Sequence, residues 1–381
     1  MAPLLNPNRT LGILTCERPG LQPPFSEAAF FSQLTTIGRL HNLRVIILHP
    51  DSIDWQQRTV TAWHHNSNAG TKEKWSSQRE PLPSLLYDRC YYRSREQHYR
   101  YRTFIQRLRQ DPQVRFLGRP LAGKWKTYQL LQTQKEILPF LPLTELCENT
   151  ETVIEFLQQH TSALLKPDMS SLGRGVVAIE CLGNPSESLF QLRGRTFSNE
   201  TFHRKVRGLA SLRKWITSRL RFKKHIVQTF LPLQTPSGKP FDIRLLVQKN
   251  ERWQFNITGA GVRIGKPHTI TANLHGGGQV EVLARFLSQH YPTSLRESIY
   301  EQFEKIGNLV PGALEATHGK LVELGIDIGL DPGGRAWLLE VNSKPGRAIF
   351  LHTAERAVRR KSIHLPIRYA ASLLTQMHGG A

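Results

Sequence analysis

Short apolar runs separated by longer amphipathic stretches open the chain. Leu11 to Thr15 and Arg44 to Leu48 have the continuous apolar character of buried strands. Ser26 to His41 between them repeats apolar residues at helical spacing, with Ser26 at the capping position. Strand, helix, strand in that order predicts a small parallel sheet. From Asp51 to Pro83 the pattern is polar and weakly periodic, which predicts an irregular excursion. Leu85 to Tyr87 reads as the next strand, and Tyr91 to Arg109 as an amphipathic helix.

A second region starts near Pro120. Helices are predicted over Lys124 to Gln134 and Glu151 to His160, with an extended segment at Leu138 to Leu143 around Pro139 and Pro142. Then come Ala163 to Lys166, Val176 to Glu180, His225 to Phe230, Asp242 to Lys249 and Trp253 to Val262, all strand-like and with few helices between them, so this sheet reads as antiparallel. Leu321 to Val341 reads as two strands joined at Asp331-Pro332-Gly333-Gly334. No internal repeat and no low-complexity tract interrupts the pattern.

Composition adds size and charge. The chain has 381 residues, 39% hydrophobic and 21% charged, enough for two or three lobes with real cores. Its formal net charge of +21 implies anionic partners. Arg193 to Lys224 holds eleven cations against one acid, Glu200, and so supplies +10 of the total. A solvated helical face accounts for this stretch, and a dedicated polyanion site is the alternative. Cys16, Cys90, Cys147 and Cys181 are too scattered for a zinc or redox motif and read as free thiols. No secretory signal and no apolar run of membrane-spanning length is visible, which leads to an expectation of the reducing cytoplasm. Adjacent His64 and His65 have no further ligand at metal spacing and read as part of a surface loop.

Three segments carry candidate chemistry. Leu164 to Val176 places Lys166 at a strand end ahead of the loop Ser170-Ser171-Leu172-Gly173-Arg174-Gly175, whose glycines let backbone N–H groups approach phosphate. It is no Walker A loop, because a strand and not a helix follows. In the second segment, a turn centred on Gly333 and Gly334 sets Asp327 opposite Glu340, with Asn342 on the same face as Glu340. Opposed carboxylates need a cation between them, and this all-oxygen set suits magnesium. The third segment supplies Arg244, on one strand face with Asp242, and Arg263, both suited to neutralising a transferring phosphoryl group, and the run Asn273 to Gly278, whose three glycines make another flexible anion-approaching loop.

The order of these features resembles the ATP-grasp superfamily. The phrases Phe241 to Lys249, Glu323 to Asp327 and Glu340 to Pro345 are more narrowly similar to the YheC/YheD group, described as endospore coat-associated. The resemblance covers about Lys124 to Phe350. It implies an α/β (α+β) ATP-grasp fold, two antiparallel lobes sandwiching ATP, preceded by a small parallel-sheet pre-ATP-grasp domain. The domains would be 1–119 and 120–381, with the lid lobe at about 160–232.

By the same resemblance, Lys124 and Lys166 lie near the phosphates, Ser171, Gly173, Arg174 and Gly175 belong to the lid loop, and Gln228, Phe230 and Leu231 form the adenine-reading hinge. Asp327, Glu340 and Asn342 would hold Mg2+. Arg244, Arg263 and Asn273 would face the γ-phosphate or acceptor. Thr229 stands where many ATP-grasp enzymes carry Glu, so backbone contacts would carry adenine recognition there. The expected function is a magnesium-dependent carboxylate ligase working through an acyl phosphate, with ATP and an unidentified carboxylate as partners and a link to the endospore coat. The contrasting expectation is a non-catalytic, spore-associated protein that binds an anionic polymer or surface through residues 193–224. Nucleic-acid binding is disfavoured, because no known motif is present and the aromatics do not cluster with the cations.

Overall fold

The computed structural model describes residues 9–66, 74–182, 188–267, 269–272 and 278–378. Among the described residues, the strands form three sheets.

The first sheet is built on β1 (Thr10–Leu14), buried at every position. After α1 (Ala28–Leu40), β2 (Arg44–Asp54) pairs parallel to it. Ser26 does not cap α1. Glu27 is the capping residue, at φ 63°, while the Ser26 hydroxyl accepts from Arg18 Nε at 2.9 Å. The polar stretch after position 51 is not irregular either. β2 runs on into it, and β3 (Thr59–His65) and β4 (Trp75–Pro81) add antiparallel strands. Much of β4 is exposed, which is why its sequence lacks an apolar stripe. His64 and His65 therefore sit on a strand, with His64 Nε2 3.3 Å from Glu80. On the other side, β5 (Leu85–Asp88), α2 (Arg95–Gln110, capped by Ser94) and β6 (Arg115–Phe116) complete the order β4-β3-β2-β1-β5-β6.

α3 (Lys124–Leu131) leads into the second sheet. Leu138 to Leu143 is not extended throughout: Leu138–Phe140 is a 3-10 turn, and the strand β7 starts later (Thr144–Cys147). α4 (Thr150–His160) is followed by β8 (Ser162–Pro167), β9 (Val177–Leu182), β10 (Leu189–Arg195), β11 (Thr201–Arg207), α5 (Leu209–Leu220) and β12 (His225–Thr229). The order β11-β10-β9-β8-β12-β7 is antiparallel at every pairing. Val153, Phe156, Leu212 and Ile216 of the two helices cover one face. The basic stretch from Arg193 to Lys224 is thus a hairpin followed by α5 and not one helical face.

The third sheet combines β13 (Phe241–Lys249), β14 (Phe255–Ile264) and β15 (Gln279–Val282) with the later hairpin β16 (Glu323–Leu330) and β17 (Ala336–Asn342), in the order β15-β14-β13-β16-β17. α6 (Leu283–His290) and α7 (Thr293–His318) pack on it through Phe286, Ile299, Phe303 and Val310. After the short α8 (Ile349–His352), α9 (Arg356–His378) returns to the first sheet and sets Ile363, Ile367 and Leu373 among Leu11, Ile13, Phe31 and Leu34. No described helix is long and apolar enough to cross a membrane.

One buried carboxylate ties these layers together. Glu323 at the start of β16 is fully buried and accepts from Tyr87 Oη (2.5 Å), Arg89 Nη1 (3.2 Å), Gln248 Nε2 (2.8 Å) and Arg347 Nη2. Arg89, itself fully buried, also reaches Glu27 at 2.9 Å. Removing one member of such a network strands the others without water. Glu323→Ala is therefore expected to cost about 3–5 kcal/mol, read as a lowered unfolding midpoint in thermal and denaturant melts. A melt indistinguishable from wild type would show that the guanidiniums find other partners.

Candidate active site

The second and third sheets face each other across a cleft, and the hairpin β16–β17 supplies its acidic floor. The turn runs Asp331-Pro332-Gly333-Gly334, closed by Gly334 N–H donating to the Asp331 carbonyl (2.9 Å), with Gly334 at φ 79°. Pro332 and Gly333 are the central pair and Gly334 the left-handed residue after them, so the expected two-glycine centre is displaced by one position. Near the turn, Leu330 pairs with Ala336 and Ile328 with Leu338. A bulge then admits Leu339, and Asp327 lies opposite Glu340. The two one-residue offsets cancel. The bulged Leu339 lines the cleft.

Cross-strand registry extends this acidic pair into a charged row. Arg244 on β13 faces Asp327 on β16, which faces Glu340 on β17. Arg244 grips both oxygens of Asp327, through Nε and through Nη2 at 3.0 Å. Arg263, opposite Asp242 in the next row, donates to Asp242 (2.5 Å) and lies 3.0 Å from the second Asp327 oxygen. Asn342 Nδ2 approaches the same oxygen at 3.5 Å.

Burial would raise the Asp327 carboxyl, but two guanidiniums more than offset it and hold it below the usual carboxylate range. Asp242 is pushed up by burial, which its main partner, Arg263, does not overcome. Arg263 is held above its ordinary value: burial acts against its charge, and the carboxylates of Asp242 and Asp327 outweigh that.

Two lysines complete the polar lining. Lys124, at the start of α3, donates to the Ser170 carbonyl (2.7 Å) and lies 3.1 Å from Glu340. Asp168 fixes that helix end, because its carboxylate accepts from Trp125 N–H at 2.8 Å and its carbonyl from Lys124 N–H. Gly123 is required there, since a Cβ would fall 2.3 Å from the Asp168 carboxylate. Lys166 is buried and donates to Gln228 Oε1 (2.5 Å), whose amide donates in turn to Thr144 (2.7 Å). Burial pushes Lys166 down to about 8, and nearby Lys124 adds to this against the pull of Glu340 and Asp327.

The fold brings Lys124, Lys166, Gly173, Gln228, Phe230, Leu231, Arg263, Asp327 and Glu340 to one cleft, with Arg244 bonded to Asp327. Ser171 and Asn342 line the adjoining pocket beside Tyr92 and Gly123. Arg174 is exposed and lines neither space. Gly175 packs on Phe197 and spends its N–H on the Thr196 carbonyl (3.2 Å). Asn273 lies outside the described residues. Sequence reasoning assigned no role to Asp168, Thr144, Phe241, Thr271 or Leu339, which take part in the site or line it. Only Asp168 left a signal, as an acid directly after the Lys166-Pro167 strand end.

The loop after β17 is anchored to the first sheet. Lys344 Nζ donates to Asp88 (2.6 Å) and the Cys90 carbonyl (2.9 Å), and Tyr91 Oη donates to the Lys344 carbonyl (2.5 Å). Among the described residues no group of three or more His, Cys, Asp or Glu is placed to hold a metal. Two carboxylates with one amide still fit magnesium, which takes one or two protein carboxylates and completes its shell with phosphate and water.

A sequence model of the family described as YheC/D like ATP-grasp matches residues 113–373. The chain belongs to this family. Two proteins of Bacillus subtilis (strain 168) are similar to it. Endospore coat-associated protein YheC is 29% identical over 349 residues, covering 91% of each chain. Endospore coat-associated protein YheD is 27% identical over 360 residues, covering 90% of this chain and 74% of its own. The crystal structure of D-cycloserine synthetase DcsG superposes with a TM-score of 0.54 over 93% of this chain and 98% of that one, at 10% identity, which is a likeness of fold. The fold is the α/β ATP-grasp fold with antiparallel sheets, and the family uses ATP.

A lysine held near 8 gives this family member a pH signature. Below that value Lys166 is a charged ammonium, and above it the charge is lost. ATP affinity measured by calorimetry is expected to fall as pH rises from 7 to 9, and Lys166→Arg, charged throughout, is expected to flatten that fall.

Proposed function

We propose that the chain is a magnesium-requiring, ATP-dependent ligase that activates a carboxylate as an acyl phosphate and passes the acyl group to an amine or another nucleophile. The observation that carries this reading is the row Arg244, Asp327, Glu340 with Arg263 beside it, facing two lysines across the cleft. In the reaction a substrate carboxylate oxygen attacks the γ-phosphorus, ADP leaves, and the nucleophile then displaces phosphate from the acyl carbon and gives up its proton. Phosphoryl transfer of this kind asks the protein for positioning and charge neutralisation, and no covalent step by a side chain is needed.

Each group has a part in that chemistry. Lys124 and Lys166 neutralise phosphate oxygens, and the Ser170 to Gly175 loop covers them. Gln228 orients Lys166, while Phe230 and Leu231 border the base and Leu339 packs beneath it. Asp327, Glu340 and Asn342 would hold magnesium, whose chemistry when bound is to neutralise charge on the β- and γ-phosphates. Arg244 and Arg263 stabilise the charge that builds on the transferring phosphoryl group. The region 1–119, which holds the first sheet, would serve as a pre-ATP-grasp domain beside the ATP-grasp region at 120–381, whose last helix, α9, packs on that sheet. The names of the two Bacillus relatives support a spore-coat link for this chain, and its free cysteines fit action in the reducing cytoplasm.

The test is nucleotide binding with and without magnesium, together with the products formed from labelled ATP in a pool of cell metabolites. Wild type is expected to bind ATP more tightly with magnesium and to yield ADP and phosphate. Asp327→Asn should lose roughly 100-fold or more in turnover, along with the magnesium dependence of binding. Negligible affinity in both proteins under both conditions would remove the ligase reading, and AMP as product would replace it with adenylation.

A further inference from the structure

The ligase reading leaves the basic stretch from Arg193 to Lys224 unused. Part of its charge is spent inside the lid. Arg193 donates to Glu180 at 3.0 Å, Arg213 grips Glu151 through two bonds of 2.9 Å, and the Arg219 guanidinium lies 4.9 Å over the Trp215 ring. Arg204, Lys205, Arg207, Lys214, Arg221 and Lys224 are exposed, and their side chains have no ion pair or hydrogen bond among the described residues.

Registry shows which way part of this charge faces. Residues directly opposite each other on paired strands share a sheet face, as do alternate residues along a strand. Leu164 of β8 pairs with Ala178, Ala178 with Arg193, and Arg193 with His203. Two positions along, Ser162 pairs with Glu180, Glu180 with Gln191, and Gln191 with Lys205, while Leu189 pairs with Arg207. His203, Lys205 and Arg207 thus stand on the face that carries Leu164 and Lys166, two residues that line the nucleotide cleft. The opposite face, with Leu165, Ile179 and Leu192, is the one buried under the helices. Three strand spacings of about 4.8 Å put this basic margin about 14 Å from β8.

The same strand is the sheet's edge. β11 pairs with β10 on one side, and among the described residues no strand pairs with its other side. Gly208 N–H donates to the Ser188 carbonyl (2.7 Å) and Thr196 N–H to the Glu200 carbonyl (2.8 Å), which makes the even-numbered residues of this strand the ones bonded to β10. The backbone N–H and C=O groups of Thr201, His203, Lys205 and Arg207 consequently point outward. Cations on such an edge repel a second copy of the same edge. They favour one kind of added strand, a chain carrying carboxylates.

We propose that the edge of β11 docks an extended, carboxylate-rich polypeptide. It pairs with the outward backbone groups, is held by Lys205 and Arg207, and is led along the inner face of the lid toward the cleft. This rests on the ligase reading and gives its carboxylate substrate a class: side-chain or terminal carboxyl groups of an acidic peptide.

The test uses the full chain with labelled poly-L-glutamate, read by fluorescence anisotropy. Polyacrylate competes through the same carboxylates without a peptide backbone, and duplex DNA competes through phosphate. Poly-L-glutamate is expected to bind with steep salt dependence and to be displaced poorly by both competitors. Lys205→Glu combined with Arg207→Glu should lower affinity about tenfold or more. Lys205→Pro, which removes an outward N–H without touching the β10 ladder, should bind more weakly than Lys205→Ala. ATP affinity, measured on the same samples, reports whether each variant is folded.

No binding of poly-L-glutamate by wild type overturns the proposal. So does equal competition by polyacrylate or DNA, or wild-type affinity in the charge-reversed variant. Peptide binding without any nucleotide binding would sink the ligase reading and leave the docking edge standing.

Discussion

A carboxylate withdrawn from water has to be met by positive charge, and β16 carries two of them, Glu323 and Asp327, on one face of a strand buried along its whole length. Glu323 is met by Arg89 and Arg347, with Tyr87 and Gln248 filling its remaining acceptor positions. Those partners come from the first sheet, from β13 and from the loop before α8, so one acid fixes the relation between layers. Asp327, four residues on, is met by Arg244 and Arg263. The two acids differ in what else can reach them. Glu323 is sealed, while Asp327 borders a cleft that a phosphate can enter.

That difference turns a structural rule into a chemical one. An arginine bound only to a buried acid is a fixed strut, whereas an arginine bound to an acid at a cleft wall can share its donors with an incoming anion. Arg263 reaches both Asp242 and Asp327, and Asp327 takes both oxygens to Arg244. The competition also explains why the two acids titrate in opposite directions. Asp327, with two guanidiniums, is held ionised, and Asp242, with burial dominant, is pushed the other way. Lys166 follows the rule from the cationic side: burial with a neutral amide partner lowers it into a range where pH controls its charge.

Much of this was legible before the fold was known, in places for a reason that needed repair. The opposition of Asp327 and Glu340 followed from a turn centred on Gly333 and Gly334, yet the turn lies one residue earlier and the Leu339 bulge restores the register. Polar and apolar patterns do not encode a bulge, so Leu339 and its place in the cleft were invisible. Strand alternation failed from 51 to 83 because the edge strand β4 is largely exposed and carries no inward stripe. Ser26 looked like a cap, but tertiary contact with Arg18 claimed its hydroxyl. The basic stretch looked helical in part because its hairpin has an apolar core of only a few residues, among them Phe190, Leu192 and Val206. The order of the charged motifs was the robust signal, because it depends on chain sequence and not on where any one strand begins.

The position of Lys124 shows how far the site depends on elements remote in sequence. Its ammonium lies against Glu340 on β17 and the Ser170 carbonyl of the loop after β8, so it bridges the two walls of the cleft. The helix that presents it is held by Asp168, a residue of the same loop, through two backbone N–H groups. Moving the loop therefore moves the helix end and its lysine together. Gly123 makes that coupling tight, because any side chain there would displace the Asp168 carboxylate. The loop after β8, the helix end and the Lys124 ammonium are thus bonded into one unit set against Glu340, so the position of the cation follows from that of the loop.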